Sequence, residues 1–486
     1  MHPLAALDRD FVWHPFTQMQ DWVRCEPIVI AKGQGAVLQD VRGRRYLDAN
    51  SSMWTNLNGH NHSRINATLK RQLKKISHST ALGLANEPAS VLAQKLVAVA
   101  NPRTQHTSRS TLHSLSKVFF SDNGSSAIEV ALKLAWQFAL RTGCNKNPKF
   151  LSLESAYHGD TLGAAALGHI GLFQSDYRRL LFKSDKVMTP YCYRCPYNRA
   201  HPERADAREY RKCNWECVDK FESKFVTQKK KGNGYSGFVF EPLIQGAAGM
   251  IAHPAGWLRR VAEIARGFGA QLIADEVMTG FGRTSKPEAR RTHHKLEAYP
   301  TLFACQNEGV QPDFLALAKG MTGGYLPMAA TLTTQPVFDA FLGNYSEFKT
   351  FFHGHSYTAN QLGAAAALAN LEVLQTQSSI RARRRLERNL SEELKSLWSL
   401  PNVGDVRQVG LIAGIELVKN WRTREPFDLR EKAGIRVCEA MARRGVLTRP
   451  IGNVVVLMPP YCTTAAQVRE MVGALAESIR RALGSC

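Results

Sequence analysis

The 486-residue chain has no window of roughly 18 uninterrupted apolar residues, the length a membrane-spanning helix requires. A secretory leader is not expected either, because Asp8, Arg9 and Asp10 interrupt any apolar run near the start. No internal repeat, low-complexity tract or collagen-like period is visible, and 44% hydrophobic content places the chain among ordinary globular proteins. Acidic side chains are scarce: 41 Asp and Glu face 63 Lys and Arg, a formal net charge of +22. Such an excess suits a partner carrying phosphate, either a nucleic acid or a small phosphorylated ligand. The densest basic runs, Lys229 to Lys231 and Arg381 to Arg385, have no nucleic-acid-binding motif beside them and read as solvated surface. Ten cysteines in so long a chain make no small disulfide scaffold, and without a leader they are expected to be reduced. The expectation is a soluble cytoplasmic protein that binds small molecules, with no nucleic-acid or membrane partner.

What the sequence does contain is alternation. Val118 to Ser121, Phe150 to Leu153, Phe238 to Leu243, Leu272 to Val277 and Phe314 to Ala318 read as buried strands between helix-like stretches. That order predicts an α/β fold with a largely parallel sheet, helices on both faces, and a site at the strands' carboxyl ends. From Ser378 the character changes to an Arg-rich helix, a strand at Val454 to Met458 and a final helix from Thr464. Residues 1–50 are assigned to a small domain, 51–376 to a large cofactor-binding domain, and 377–486 to the remainder of the small domain. Ser285 to Thr301 is polar and basic and reads as a surface insertion.

Two charged residues stand at strand ends. Asp275 closes the strand that begins at Leu272, and Lys319 directly follows the strand from Phe314. An electron-sink cofactor needs such a pair: a lysine for its aldehyde and a carboxylate to keep its pyridine nitrogen protonated. A buried ion pair would explain the two residues equally well if they stood alone. They have company. Ser121-Asp122-Asn123-Gly124-Ser125-Ser126 joins a strand to a helical pattern over Ala127 to Phe138, and such a junction, by itself a plain helix N-cap, can also offer its backbone N–H groups as a phosphate cup. Tyr157, in Tyr157-His158-Gly159, follows the strand Phe150 to Leu153 and brings a flat ring to the same edge. His158 reads as structural.

The run Leu272 to Thr284 (LIADEVMTGFGRT), then Pro312-Asp313 and Leu317 to Gly324 (LAKGMTGG), resembles the signature of the class III pyridoxal-phosphate-dependent aminotransferases. Trp13 to Met19, Asp48 to His60, His353 to Thr358 and Thr448 to Tyr461 resemble most closely the branch that aminates 8-amino-7-oxononanoate in biotin synthesis. The matches span nearly the whole chain in family order. The resemblance implies a fold-type I aminotransferase using pyridoxal 5'-phosphate. Lys319 would bind the cofactor's aldehyde, Asp275 its pyridine nitrogen, Tyr157 its ring face, and Gly124 and Ser125 its phosphate. It further implies a homodimer with shared active sites, in which Ser356 of one protomer reaches the other's phosphate. Substrate contacts are expected from Phe16, Met53, Trp54, Gly354, His355 and Arg449, the last holding the keto substrate's carboxylate through its fork of donors.

Three positions depart from the form of the branch that takes its amino group from S-adenosylmethionine. A tyrosine is expected where Phe16 stands, a tryptophan where Met53 stands, and Pro-Thr where His355-Ser356 stands. A smaller branch using lysine has a similar pattern, so adenosylmethionine is the expected donor and lysine the alternative. Another class III enzyme, of ornithine or ω-amino acid type, is disfavoured by Trp13 to Met19 and Arg449. A non-catalytic or nucleic-acid-binding relative is disfavoured by the intact lysine, aspartate and cup. Cys192, Cys195, Cys213 and Cys217 have the spacing of a zinc or cluster site, but relatives carry cysteines in a similar loop without metal, and none is expected.

Overall fold

The structure, a computed structural model, describes residues 1–101, 113–284 and 301–484; the expected insertion at 285–301 lies, apart from Thr301, outside the described residues. Its centre is a sheet of seven strands: β1 (Leu115–Ser121), β2 (Phe150–Leu153), β3 (Asp185–Val187), β4 (Gly237–Phe240), β5 (Gln271–Asp275), β6 (Phe314–Leu317) and β7 (Ala329–Thr334), in the order β1-β7-β6-β5-β4-β2-β3. Only β7 runs antiparallel to its neighbours; the other pairings are parallel, as the alternation predicts. Successive residues of one strand enter two different cores. Ile273, Phe314, Ala316 and Val239 pack with helix α1 (Gly124–Arg141), whereas Leu272, Ala274, Leu315 and Phe240 join the larger core on the opposite face. A strand covered on both sides has no need of polar alternation, which is why these segments read as continuous apolar runs.

Two strands stop earlier than the apolar pattern suggests. β4 ends at Phe240 rather than Leu243, because Pro242 has no N–H for a ladder and Leu243 takes a φ of +68°. β5 ends at Asp275 rather than Val277, because the Val277 N–H turns back to Asp275 Oδ1 at 3.1 Å. Both departures leave an acid, Glu241 or Asp275, at the point where the chain leaves the sheet.

Residues from both ends of the sequence form the second layer. Arg45–Asp48 pairs in parallel with Val446–Leu447, while Val403–Val409, Ile412–Asn420 and Val454–Leu457 build an antiparallel sheet. Buried Arg407 ties this sheet to the loop at Met250: its guanidinium donates to Asp405 (3.0 Å), Glu416 (2.7 Å) and the Met250 carbonyl (2.6 Å). Arg383, in a run expected to be solvated, is only 3% exposed; it turns inward and donates to Ser379 and the Leu374 carbonyl. Among the described residues no helix is long and apolar enough to cross a membrane.

Candidate active site

At the carboxyl edge of the parallel strands lies a cavity of about 460 Å³ lined by Trp54, Gly124, Ser125, Tyr157, Asp275 and Lys319, together with Asp122, His158, Gly159, Glu241 and others. Six of the expected site residues thus come together from five separate stretches of sequence. Asp275 and Lys319 follow adjacent strands, β5 and β6, in register at Asp275 with Ala316. They make no direct ion pair. The Asp275 carboxylate accepts from His158 Nδ1 at 2.8 Å, and the Lys319 ammonium rests 4.4 Å from the centroid of the Trp54 ring. Burial lowers the Lys319 pKa, opposed by the negative charges of Asp275 and Glu241. The shift is toward the neutral amine, the form able to act as nucleophile and base.

His158, read from sequence as structural, is instead the partner that fixes Asp275. It is 3% exposed, and with a carboxylate on Nδ1 that nitrogen carries the proton; Nε2 is buried without a hydrogen-bond partner. Its place between Tyr157 and Gly159 was the available signal. Glu241 was missed entirely, although it stands directly after an apolar run, as Asp275 does. Its buried carboxyl accepts from the Gly246 N–H at 2.7 Å, and burial, reinforced by Asp275 and opposed by His158, raises its pKa to about 7.

The phosphate cup has the predicted local form. Asn123 caps α1, its side chain accepting from Ser126 N–H at 3.0 Å, and the helix begins at Gly124. Ser125 Oγ accepts from the Asp160 N–H at 3.1 Å. Here glycine is required twice. A Cβ on Gly124 would lie 2.8 Å from Val277 Cγ1, and one on Gly159, whose φ is +123°, would lie 2.0 Å from Ser125 Oγ. Gly159→Ala is therefore expected to displace Ser125 and weaken cofactor retention at least about tenfold. Dialysis followed by visible absorbance measures this; retention equal to wild type would show that Ser125 does not need its present position.

Trp54 reaches the cavity through a left-handed turn. Ser51, Ser52, Met53 and Trp54 all have φ between +45° and +72°, a conformation costing about 1–2 kcal/mol per non-glycine residue. Hydrogen bonds oppose that cost. Asp48 accepts from Ser52 N (2.9 Å) and Oγ (2.8 Å), Ser51 Oγ donates to the Met458 carbonyl (2.7 Å), and Trp54 Nε1 donates to Asn50 Oδ1 (2.7 Å). Each is worth about 1–3 kcal/mol where a partner is charged or buried, enough together to hold the turn. Trp54, expected among the substrate contacts, is buried beneath Lys319, and Met53 points outward, 45% exposed.

The remaining expected residues stand outside the cavity wall. Phe16 lies at the mouth, its ring 6.4 Å from that of Tyr157, and the exposed Arg449 is 3.4 Å from the Phe16 carbonyl. His355 Nδ1 is 3.3 Å from Asp122 Oδ2, while Gly354 and Ser356 are exposed on the same loop. The four spaced cysteines are all free thiols, Cys192 and Cys217 buried, and among the described residues no group of three or more His, Cys, Asp or Glu gathers closely enough to hold a metal ion.

The residues fit pyridoxal phosphate: a glycine-cradled cup for an anion, a carboxylate fixed by a buried histidine for a ring nitrogen, an aromatic ring, and a lysine of depressed basicity share one cavity. Comparison with known proteins agrees. Residues 19–479 match the family described as aminotransferase class-III. The chain is 45% identical to the adenosylmethionine-8-amino-7-oxononanoate aminotransferase of Geobacter sulfurreducens, over 99% of its own length and 98% of that protein's. A crystal structure of the enzyme of the same name from Methanocaldococcus jannaschii superposes with a TM-score of 0.85, at 38% identity and 98% coverage of both chains. An amine transaminase from an uncultivated Pseudomonas species, solved in its PLP-bound form, gives a TM-score of 0.83 at 31% identity, covering 97% of this chain and 98% of its own. With the signature residues assembled in one cavity and the family's pattern running through almost the whole sequence, this chain belongs to the class III aminotransferases.

Proposed function

We propose that this aminotransferase uses pyridoxal 5'-phosphate to convert 8-amino-7-oxononanoate to 7,8-diaminononanoate, with S-adenosylmethionine as donor and lysine as the alternative. The observation that carries the reading is the placement of Lys319 and Asp275 at the ends of adjacent parallel strands within one cavity. Similarity over nearly the full chain to enzymes named for that acceptor supports the substrate. The bound cofactor supplies an electron sink for the electron pair released at the substrate carbon. Lys319 moves the proton at that carbon through its Nζ, Asp275 holds the pyridine nitrogen protonated, and Tyr157 covers the ring. Gly124 and Ser125 receive the phosphate.

Arg449, exposed at the mouth beside Phe16, receives the substrate carboxylate. Arg449→Ala is expected to raise the KM for the keto acid by about ten- to a hundredfold with a smaller effect on kcat. Steady-state kinetics check this, and an unchanged KM would move the carboxylate elsewhere. The exposed Gly354 and Ser356 are assigned to the partner protomer's site in a homodimer.

Turnover of purified protein with 8-amino-7-oxononanoate and either S-adenosylmethionine or lysine is the direct test. Diaminononanoate formed with one donor supports the reading and identifies the donor. Activity confined to an ω-amino acid and pyruvate would replace it with the ω-transaminase alternative.

A further inference from the structure

We infer that Glu241 is the specificity residue that receives the cationic amino group carried by the acceptor beside its reacting ketone. The inference rests on the functional reading above and adds a contact to it. Glu241 directly follows β4 and lines the same cavity as Asp275 and Lys319. Its carboxyl is met only by backbone N–H groups, that of Gly246 at 2.7 Å and that of Tyr157 at 3.5 Å. Among the described residues it has no cationic side chain within ion-pair distance, in a protein whose formal charge is +22. Asp275 is already committed to His158 and to the Val277 N–H. Glu241 acts on Lys319 and His158 only at longer range, so among the described residues the cavity holds an acid with no directly bonded cation.

A buried carboxyl without a cation either stays protonated or takes a cation brought to it. Its raised pKa, about 7, leaves both states within reach near neutrality. The acceptor is polar at both ends. Its carboxylate belongs at the mouth with Arg449, and its ketone must approach Lys319 in the cavity. The 8-amino group is attached one carbon from that ketone, so it enters the cavity with it and meets the acid left over. Apolar Val277, Met278, Leu326 and Met328 contribute to the lining and offer no competing charge.

Comparing 8-amino-7-oxononanoate with 7-oxononanoate, identical but for the amine, tests this in wild type and Glu241→Gln. Glutamine still accepts the Gly246 N–H, so the loop is retained, and holoenzyme absorbance and melting temperature verify it. Wild type is expected to prefer the amino ketone in kcat/KM, and the variant to lose about ten- to a hundredfold of that preference. Glu241→Asp, which keeps the charge, should restore part of it, and serves as the test variant should the glutamine form not fold. An unchanged preference, or equal loss on both ketones with cofactor retained, overturns the inference and leaves the functional reading standing. A wild-type holoenzyme that turns over neither ketone removes the functional reading and this inference with it.

Discussion

Replacing Lys319 by alanine is expected to lower kcat for transamination by at least about ten-thousandfold while leaving the fold intact. In the proposed role two functions are lost together: the amine that binds the cofactor's aldehyde, and the base that moves the proton at the substrate carbon. General acid–base catalysis alone is worth about 10²–10⁴-fold. Burial already holds the Lys319 pKa down, so this amine is poised for both tasks in a way a solvent-exposed lysine is not. Lys319→Arg keeps a long basic side chain over Trp54 but cannot surrender its proton near neutrality. It should therefore be as inactive as the alanine variant. Single-turnover kinetics and the visible absorbance of the holoenzyme measure the effect, and residual turnover within a hundredfold of wild type would move the chemistry to another residue.

The second large effect is expected for Asp275→Asn, a loss of about a hundred- to a thousandfold in kcat, the magnitude associated with removing one preorganised electrostatic contact from an active site. Asparagine keeps the shape of the side chain and can still accept from His158, so the melting temperature should stay within a few degrees of wild type. What disappears is the negative charge opposite the pyridine nitrogen. The combination of normal stability, retained cofactor and lost kcat separates electrostatics from packing. Retention of more than a tenth of wild-type kcat would show that the nitrogen does not need a counter-charge.

The chemistry-bearing residues were legible because they sit where strands stop. Phe314 to Leu317 and Leu272 to Ala274 are apolar runs followed by a charge, and glycine with hydroxyls between a strand and a helix marks a helix N-terminus, whose N–H groups suit an anion. The strand ends were less legible: Val277 is apolar enough to extend β5, and only the side chain of Asp275, capping the Val277 N–H, ends it. The His158 partnership was hidden because its acceptor lies on another strand, and pairing between strands is a long-range fact. The same holds for Trp54. Nothing in Ser51-Ser52-Met53-Trp54 announces four left-handed residues, since Asp48 and Met458, which hold the turn, are fixed by the folded chain. Arg383 turned inward for a comparable reason: its neighbours are arginines, but its contact is Tyr461, with the guanidinium 5.5 Å from the ring.

The pairing of Arg45–Asp48 with Val446–Leu447 has a consequence for how the protein comes to be active. Asp48 anchors the turn that carries Trp54 beneath Lys319, and the Met458 carbonyl steadies the same turn. A nascent chain that has already delivered Lys319 and Asp275 from the ribosome contains Asp48 but lacks both the Val446–Leu447 strand that pairs beside it and the Met458 carbonyl. Its lysine stays without an aromatic floor until the segment beyond Val446 has emerged and closed on residues made first. Non-local closure of this kind is slow, so the turn beneath Lys319 is completed near the end of synthesis, and a chain broken off shortly before Val446 would carry Lys319 and Asp275 without the strand and carbonyl that steady Trp54.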